Sequence, residues 1–420
     1  EQPWPRQRMD PVGEHLRQGR GDRRKAGVTG VSRSQAALYA AIFLDLFGFG
    51  MILPDVQLRA EKMGAPGWLI GAILASTFLV QLLVSPRWGS LSDRVGRKPV
   101  ILACTVLSAT GMYLYGFAGA IPLLFLSRIV SGLGGANVAI AQALLADSTT
   151  EVDRSVAMGR IGAAISVGLV TGPSIGGFLG HQGSLLLGVV AGSCSALGVL
   201  LIAILVTGQK PREERPAKPK AIFDLSLLTS LPRLRRLALV AAVAWFSLAT
   251  LEGTFGRLIE HTLNYDQRQF GIVFGYESLL GFLVQAFLIG WIAKRVRDDM
   301  LLRSAYLLQG LGLALTPFTY LFPVPGAWMA VLLFWSTLYA VGSGLANPTI
   351  NGLCSKITPD DRQGELFGLL QGARSVGFIF GPALGGALFD LWTAAPYLLA
   401  GLTCVAASAI VPAFPAEEAT

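Results

Sequence analysis

Ser166-Val-Gly-Leu-Val-Thr-Gly-Pro-Ser-Ile-Gly-Gly177 returns 209 positions later as Ser375-Val-Gly-Phe-Ile-Phe-Gly-Pro-Ala-Leu-Gly-Gly386. Seven of the twelve positions are identical, and the offset is half of the 420-residue chain. Gly168, Gly172, Pro173, Gly176 and Gly177 thereby match Gly377, Gly381, Pro382, Gly385 and Gly386. Upstream, Gly132, Gly134, Ala136 and Asn137 return at nearly the same offset as Gly342, Gly344, Ala346 and Asn347, so the repeat is larger than one motif. Both copies of the motif lie in long apolar segments. A chain duplicated once in membrane-length segments implies two related helical bundles around a central cavity, an architecture found in transporters. Within each copy, Pro removes a helix hydrogen bond and the glycines make a smooth face. The motif therefore reads as a packing seam that can also serve as a hinge.

Composition agrees with a membrane location. Apolar residues make up 52% of the chain and charged residues 14%, against about a quarter charged in soluble domains. The 50 Gly suit helices that approach closely. Several apolar runs reach the ~20 residues needed to cross a bilayer, which a large soluble core would not require. Spans are expected at about 36–58, 67–88, 98–118, 121–146, 157–180 and 184–207, then at about 235–258, 268–293, 300–321, 325–350, 364–389 and 394–414. The fold class expected is thus all-α, with twelve transmembrane helices in two six-helix bundles, residues 35–207 and 235–414. A basic tail (1–34), expected to be disordered, precedes them, a polar linker (208–234) joins them, and a short tail (415–420) follows.

The charge of +8 is distributed by topology. Basic residues cluster in the N-terminal tail, in the loop holding Arg94, Arg97 and Lys98, in the linker, and around Lys294, Arg295 and Arg297. With twelve spans these clusters share one side, which the positive-inside rule makes cytoplasmic, and both termini lie there too. Nucleic acid is not an expected partner, because the basic segments lack interleaved aromatics. Cys104, Cys194, Cys354 and Cys404 sit in apolar runs without metal-like spacing and read as small buried residues. No metal, cofactor or catalytic constellation is expected. The three His are scattered, and no Gly-rich nucleotide loop is present to suggest ATP as an energy source.

Charge inside the spans points to chemistry. Asp45 lies in span 1, Glu252 lies 207 positions on in span 7, and Glu277 lies in span 8. A carboxyl in a low-dielectric setting resists ionisation, so it can take and release a proton near neutral pH. Asp45 must be protonated, paired with a charge from another helix such as Arg128, or open to cavity water. Arg128 in span 4 costs on the order of 3 kcal/mol in an apolar span and needs a partner or a wet cavity, unless it snorkels from the helix end near Pro122. Gln81, Asn137, Gln142, Gln285, Gln309, Asn347 and Asn351 are candidate cavity groups, or else interhelical contacts.

The loop between spans 2 and 3 reads Gly89-Ser-Leu-Ser-Asp93-Arg94-Val-Gly96-Arg97-Lys98. Gly96 permits a tight reversal, Asp93 can pair with a nearby Arg, and the basic residues hold the loop inside. This segment closely resembles the signature of the major facilitator superfamily. The equivalent loop, Gly290-Trp-Ile-Ala-Lys294-Arg295-Val-Arg297, keeps the Gly and the basic residues but has Lys294 where the acid would fall. The resemblance implies that Asp93 latches against the second bundle and biases gating, that Arg128 takes part in proton coupling, and that the Gly-Pro motif of span 5 belongs to the drug:proton antiporter branch. Leu44-Asp45-Leu-Phe-Gly48-Phe-Gly50-Met-Ile-Leu-Pro54 resembles the tetracycline-exporter group, in which this Asp is functionally required. Where that group carries an acid in span 3, this chain has Met112. Near Gly281 and Gly310 it lacks the group's span-8 His and span-9 acid.

Taken together, these features imply a monomeric, proton-coupled antiporter that moves a lipophilic or cationic small molecule out of the cell by alternating access. A lipid, lysolipid or metabolite transporter of the same fold is the alternative within the class, and a non-transporting scaffold or sensor is the alternative outside it.

Overall fold

The computed structural model describes residues 31–149, 151–207, 226–292, 295–359 and 362–413. Most of the basic tail, linker residues 208–225, Lys294 and the C-terminal tail lie outside the described residues. Helices α1 to α6 are Arg33–Lys62, Gly67–Val95, Arg97–Phe117, Ile121–Ser148, Glu151–Gln182 and Ser184–Leu205. Helices α7 to α12 are Pro232–Leu263, Gln267–Ile292, Asp298–Leu315, Trp328–Ile357, Gln363–Leu391 and Ala395–Ile410. Among the described residues, nine helices are long and apolar enough to cross a membrane. The other three, α9, α11 and α12, occupy the places of the ninth, eleventh and twelfth spans.

The element ends have local causes. Ser32 caps α1 by a reciprocal capping box with Gln35, and Asp266 caps α8 in the same way with Gln269. Gly96, at φ 98°, turns the chain between α2 and α3 in a conformation that suits glycine. The ninth span is shorter than the 300–321 expected. Its α-helix stops at Leu315 and gives way to a 3₁₀ segment, Thr316–Leu321, because Pro317 cannot supply the next helical N–H.

Packing repeats with the sequence. In the first half α1 lies against α5 and α6, α3 against α4 and α6, and α2 against α4. In the second half the matching pairs are α7 with α11 and α12, α9 with α10 and α12, and α8 with α10. The halves meet through α2 with α11, α5 with α8, and α1 with α7.

The duplicated Gly-Pro motif builds these contacts. Gly168, Gly172 and Gly176 face α1, and Gly377, Gly381 and Gly385 face α7. The last glycine of each copy turns to the other half. A Cβ on Gly177 would come within 2.7 Å of the Gly271 backbone in α8, and Gly386 touches the Gly67 backbone in α2. The motif glycines of both copies therefore sit at close helix contacts, and each copy also supplies one inter-half contact.

Candidate functional site

The halves join tightly at the end of the bundle opposite the first and last described residues, 31 and 413. There the buried Arg257 of α7 pairs with Glu61 of α1 and Asp390 of α11, each at 3.0 Å, and stacks on Phe389. Asp390 also accepts the Gly67 amide at 2.5 Å, and His261 meets Glu61 at 3.0 Å. Gln57 donates to the Glu252 carbonyl, and His181 meets Asp266 at 3.2 Å. At the other end the ion pairs seen among the described residues lie within a half: Asp93–Arg97 (2.7 Å), Arg97–Asp147 (3.1 Å) and Lys356–Asp298 (2.9 Å).

Between these ends lies a cavity of about 370 Å³ lined by both halves. Asp45, Glu252, Glu277 and Arg374 line it, with Gln81, Asn137, Gln285, Gln309 and Asn347. Its aromatic wall includes Phe49, Phe78, Trp245 and Phe378, with Phe78 and Phe378 packed across the halves at 4.4 Å. Two helix irregularities shape it. Helix α4 breaks at Gly135-Ala136, and the Gln81 side chain binds the Gly135 carbonyl at 2.8 Å. Helix α8 widens into a π-helical turn at Val284–Leu288, which carries Gln285.

The sequence-expected residues divide clearly. Asp45 is 3% exposed and accepts hydrogen bonds from Asn137 and Ser195, so its partners are neutral. The anticipated pairing with Arg128 is not made. Arg128 is 1% exposed, which also removes the snorkelling alternative, and its guanidinium lies 5.1 Å from the Tyr115 ring centre. Its two terminal nitrogens find no hydrogen-bond partner among the described residues. Glu252 and Glu277 are half-buried on the cavity wall, with Ser336 beside Glu277. Gln142 and Asn351 are exposed and outside the cavity, because each falls on the outer face of its helix. The segment expected as a loop is helical up to Val95, leaving Gly96 as the turn, so Gly89, Asp93 and Arg94 stand in the last turns of α2. Gly89 is half-buried, Arg94 is exposed, and Asp93 pairs with Arg97 of its own half.

Several charged residues were not singled out from sequence. Asp55, 2% exposed in the last third of α1, accepts from the Tyr115 hydroxyl and from Gln267 of the second half (2.6 Å). Tyr115 lies between Arg59 and Arg128, so α1, α3, α4 and α8 meet at one buried polar cluster. Arg257 and Asp390 complete the seal, and Arg374 enters the cavity. The available signal was the same in each case: a charge within or at the end of an apolar span.

Two pseudo-symmetric helical bundles, sealed at one end over a polar cavity at mid-depth, define the class of secondary transporters. The sequence profile of the Major Facilitator Superfamily matches residues 38–356 and, in a second overlapping match, residues 237–420. The chain belongs to this superfamily. It is 27% identical over 380 residues to multidrug resistance protein 1 of Bacillus subtilis (strain 168), covering 90% of this chain and 95% of that protein. It is 28% identical over 355 residues to the class D tetracycline resistance protein of Salmonella ordonez, covering 83% and 87%. Among solved structures it resembles the nucleoside transporter NupG (TM-score 0.72, 14% identity, 90% and 97% covered). It also resembles the human organic anion transporter MFSD10 (TM-score 0.65, 21% identity, 90% and 99% covered).

Proposed function

We propose that this chain is a proton-coupled antiporter that exports a lipophilic or cationic small molecule by alternating access. The observation carrying this reading is the placement of Asp45, Glu252 and Glu277 on one cavity shared by both halves. Carboxyls at such a site exchange a proton for a cationic or polarisable ligand as the cavity changes sides. The relatives named for multidrug and tetracycline resistance support export rather than uptake. The basic loops support a plasma-membrane orientation with both termini cytoplasmic. In that orientation the cavity faces inward, and the Glu61–Arg257–Asp390 cluster is the outer seal. Asp93 is then the matching inner latch. Among the described residues it pairs with Arg97 of its own half, and on this reading it engages the second half when the cavity faces outward.

Transport in proteoliposomes under an imposed pH gradient tests the reading. Wild-type protein is expected to move substrate against its gradient and to release protons on substrate binding near neutral pH. Asp45→Asn is expected to remain folded but to lose gradient-driven transport. Transport by Asp45→Asn at the wild-type rate, still following the pH gradient, would sink the assignment and move the coupling site to Glu277. Orientation is checked on intact cells, where a Cys placed in residues 212–220 should resist an impermeant thiol reagent.

A further inference from the structure

One guanidinium shares the cavity with the three carboxyls. Arg374 stands on α11 one residue before the duplicated motif, in register with Ile165 of the first half. The fold shared by the halves therefore does not require a cation at this place. Arg374 lies 4.9 Å from the Trp245 ring centre and 5.5 Å from that of Phe378. Among the described residues it makes no salt bridge and no hydrogen bond. Glu252 of α7 lines the same cavity and acts on it electrostatically, without an ion pair among the described residues. An Arg at this depth costs on the order of 3 kcal/mol, and stacking on rings returns only about 0.5–2 kcal/mol. A guanidinium held only by ring faces keeps its N–H donors available to a ligand.

The cavity thus offers both signs of charge beside an aromatic wall. A simple cation attracted to Glu252 is repelled by Arg374. A simple anion attracted to Arg374 meets Asp45, Glu252 and Glu277. A ligand carrying both charges satisfies both sets. We propose that the site selects amphoteric aromatic molecules. Arg374 binds the carboxylate, Glu252 or Glu277 binds the basic nitrogen, and the rings lie along Phe78, Phe378 and Trp245. Guanidinium and carboxylate can pair through two parallel hydrogen bonds, which makes Arg374 the specificity-determining residue. The proposal rests on the export reading and names its substrate class.

Rhodamine 110 and rhodamine 123 form a matched pair: the first has a free carboxylate, and the second is its methyl ester and carries only the cation. Binding of each dye to the purified full-length protein is followed by fluorescence anisotropy. Wild-type protein is expected to bind rhodamine 110 about tenfold more tightly, the worth of one charge-assisted hydrogen bond. In Arg374→Gln the ratio of the two affinities should fall to about one or below, and Arg374→Lys should retain an intermediate preference. The wild-type comparison does not depend on any variant folding. Equal or reversed preference in wild type overturns the proposal, as does failure to bind either dye. So does an Arg374→Gln protein that keeps the wild-type ratio while weakening both dyes alike, which would make Arg374 a packing residue. Dye movement in proteoliposomes separates the two readings. Gradient-driven movement of rhodamine 123 without a preference for rhodamine 110 defeats only the substrate proposal. Preference for rhodamine 110 in binding, with neither dye moved by the gradient, defeats the export reading.

Discussion

Arg257→Ala is expected to open the sealed end of the bundle. Arg257 is the only member of its cluster that bonds to acids from both halves, Glu61 of α1 and Asp390 of α11, at 3.0 Å each. Two unit charges at this spacing attract by roughly 5 kcal/mol at an effective dielectric of ~20, before desolvation is subtracted. Only the Glu61 pair crosses between the halves, and Glu61 and Asp390 are partly solvated, so much of the gross attraction is offset. A net loss of about 2–3 kcal/mol is expected, the range of a hydrogen bond to a charged group. The variant also leaves two carboxylates facing each other, which adds to the opening force. The closed-to-open ratio should therefore fall by about 30- to 150-fold. Spin labels on exposed Lys62 and Arg268, one in each half at this end, report the separation directly. Wild-type protein should give one short distance, and the variant a population at longer distance. An unchanged distance distribution would refute the reasoning and assign the seal to helix packing alone.

Gly386→Leu should act in the same direction by a different route. Its side chain would have to occupy the space of the Gly67 backbone, so the labelled distance should lengthen without loss of charge. Asp93→Asn removes a pair whose Asp is 49% exposed, worth no more than about 1 kcal/mol of stability, so thermal unfolding should barely move. Transport by the same variant should nevertheless slow, because the inner latch is lost, and a normal rate would reduce the loop to a topology signal. Asp55→Ala leaves Tyr115 and Gln267 without their shared buried acceptor, at a cost of about 1–3 kcal/mol per group, and should lower the unfolding temperature in detergent. An unfolding temperature equal to that of wild type would show that the cluster contributes nothing to the closed state.

Much of this protein is written in local pattern. The duplicated Gly-Pro segment, the spacing of apolar runs and the loop signature around Asp93 give the family and the pairing of halves. They do so because membrane thickness fixes helix length, and because close helix approach demands glycine whatever the partner. Asp45, Glu252 and Glu277 stood out for the same reason, since a charge in an apolar span is expensive wherever it lies. What each charge touches could not be read along the chain. Arg128 meets Tyr115 rather than Asp45, and Asp45 meets Asn137 and Ser195. Gln142 faces away from the cavity while Gln285 enters it, because helix rotation decides exposure and depends on packing against neighbours. Arg257 gathers Glu61 and Asp390 from positions nearly 200 and more than 130 residues away. Sequence determined which groups must find partners in the bilayer. The tertiary structure alone decided which partners they found, because those contacts join distant helices whose rotation and tilt are set by the packing of the whole bundle.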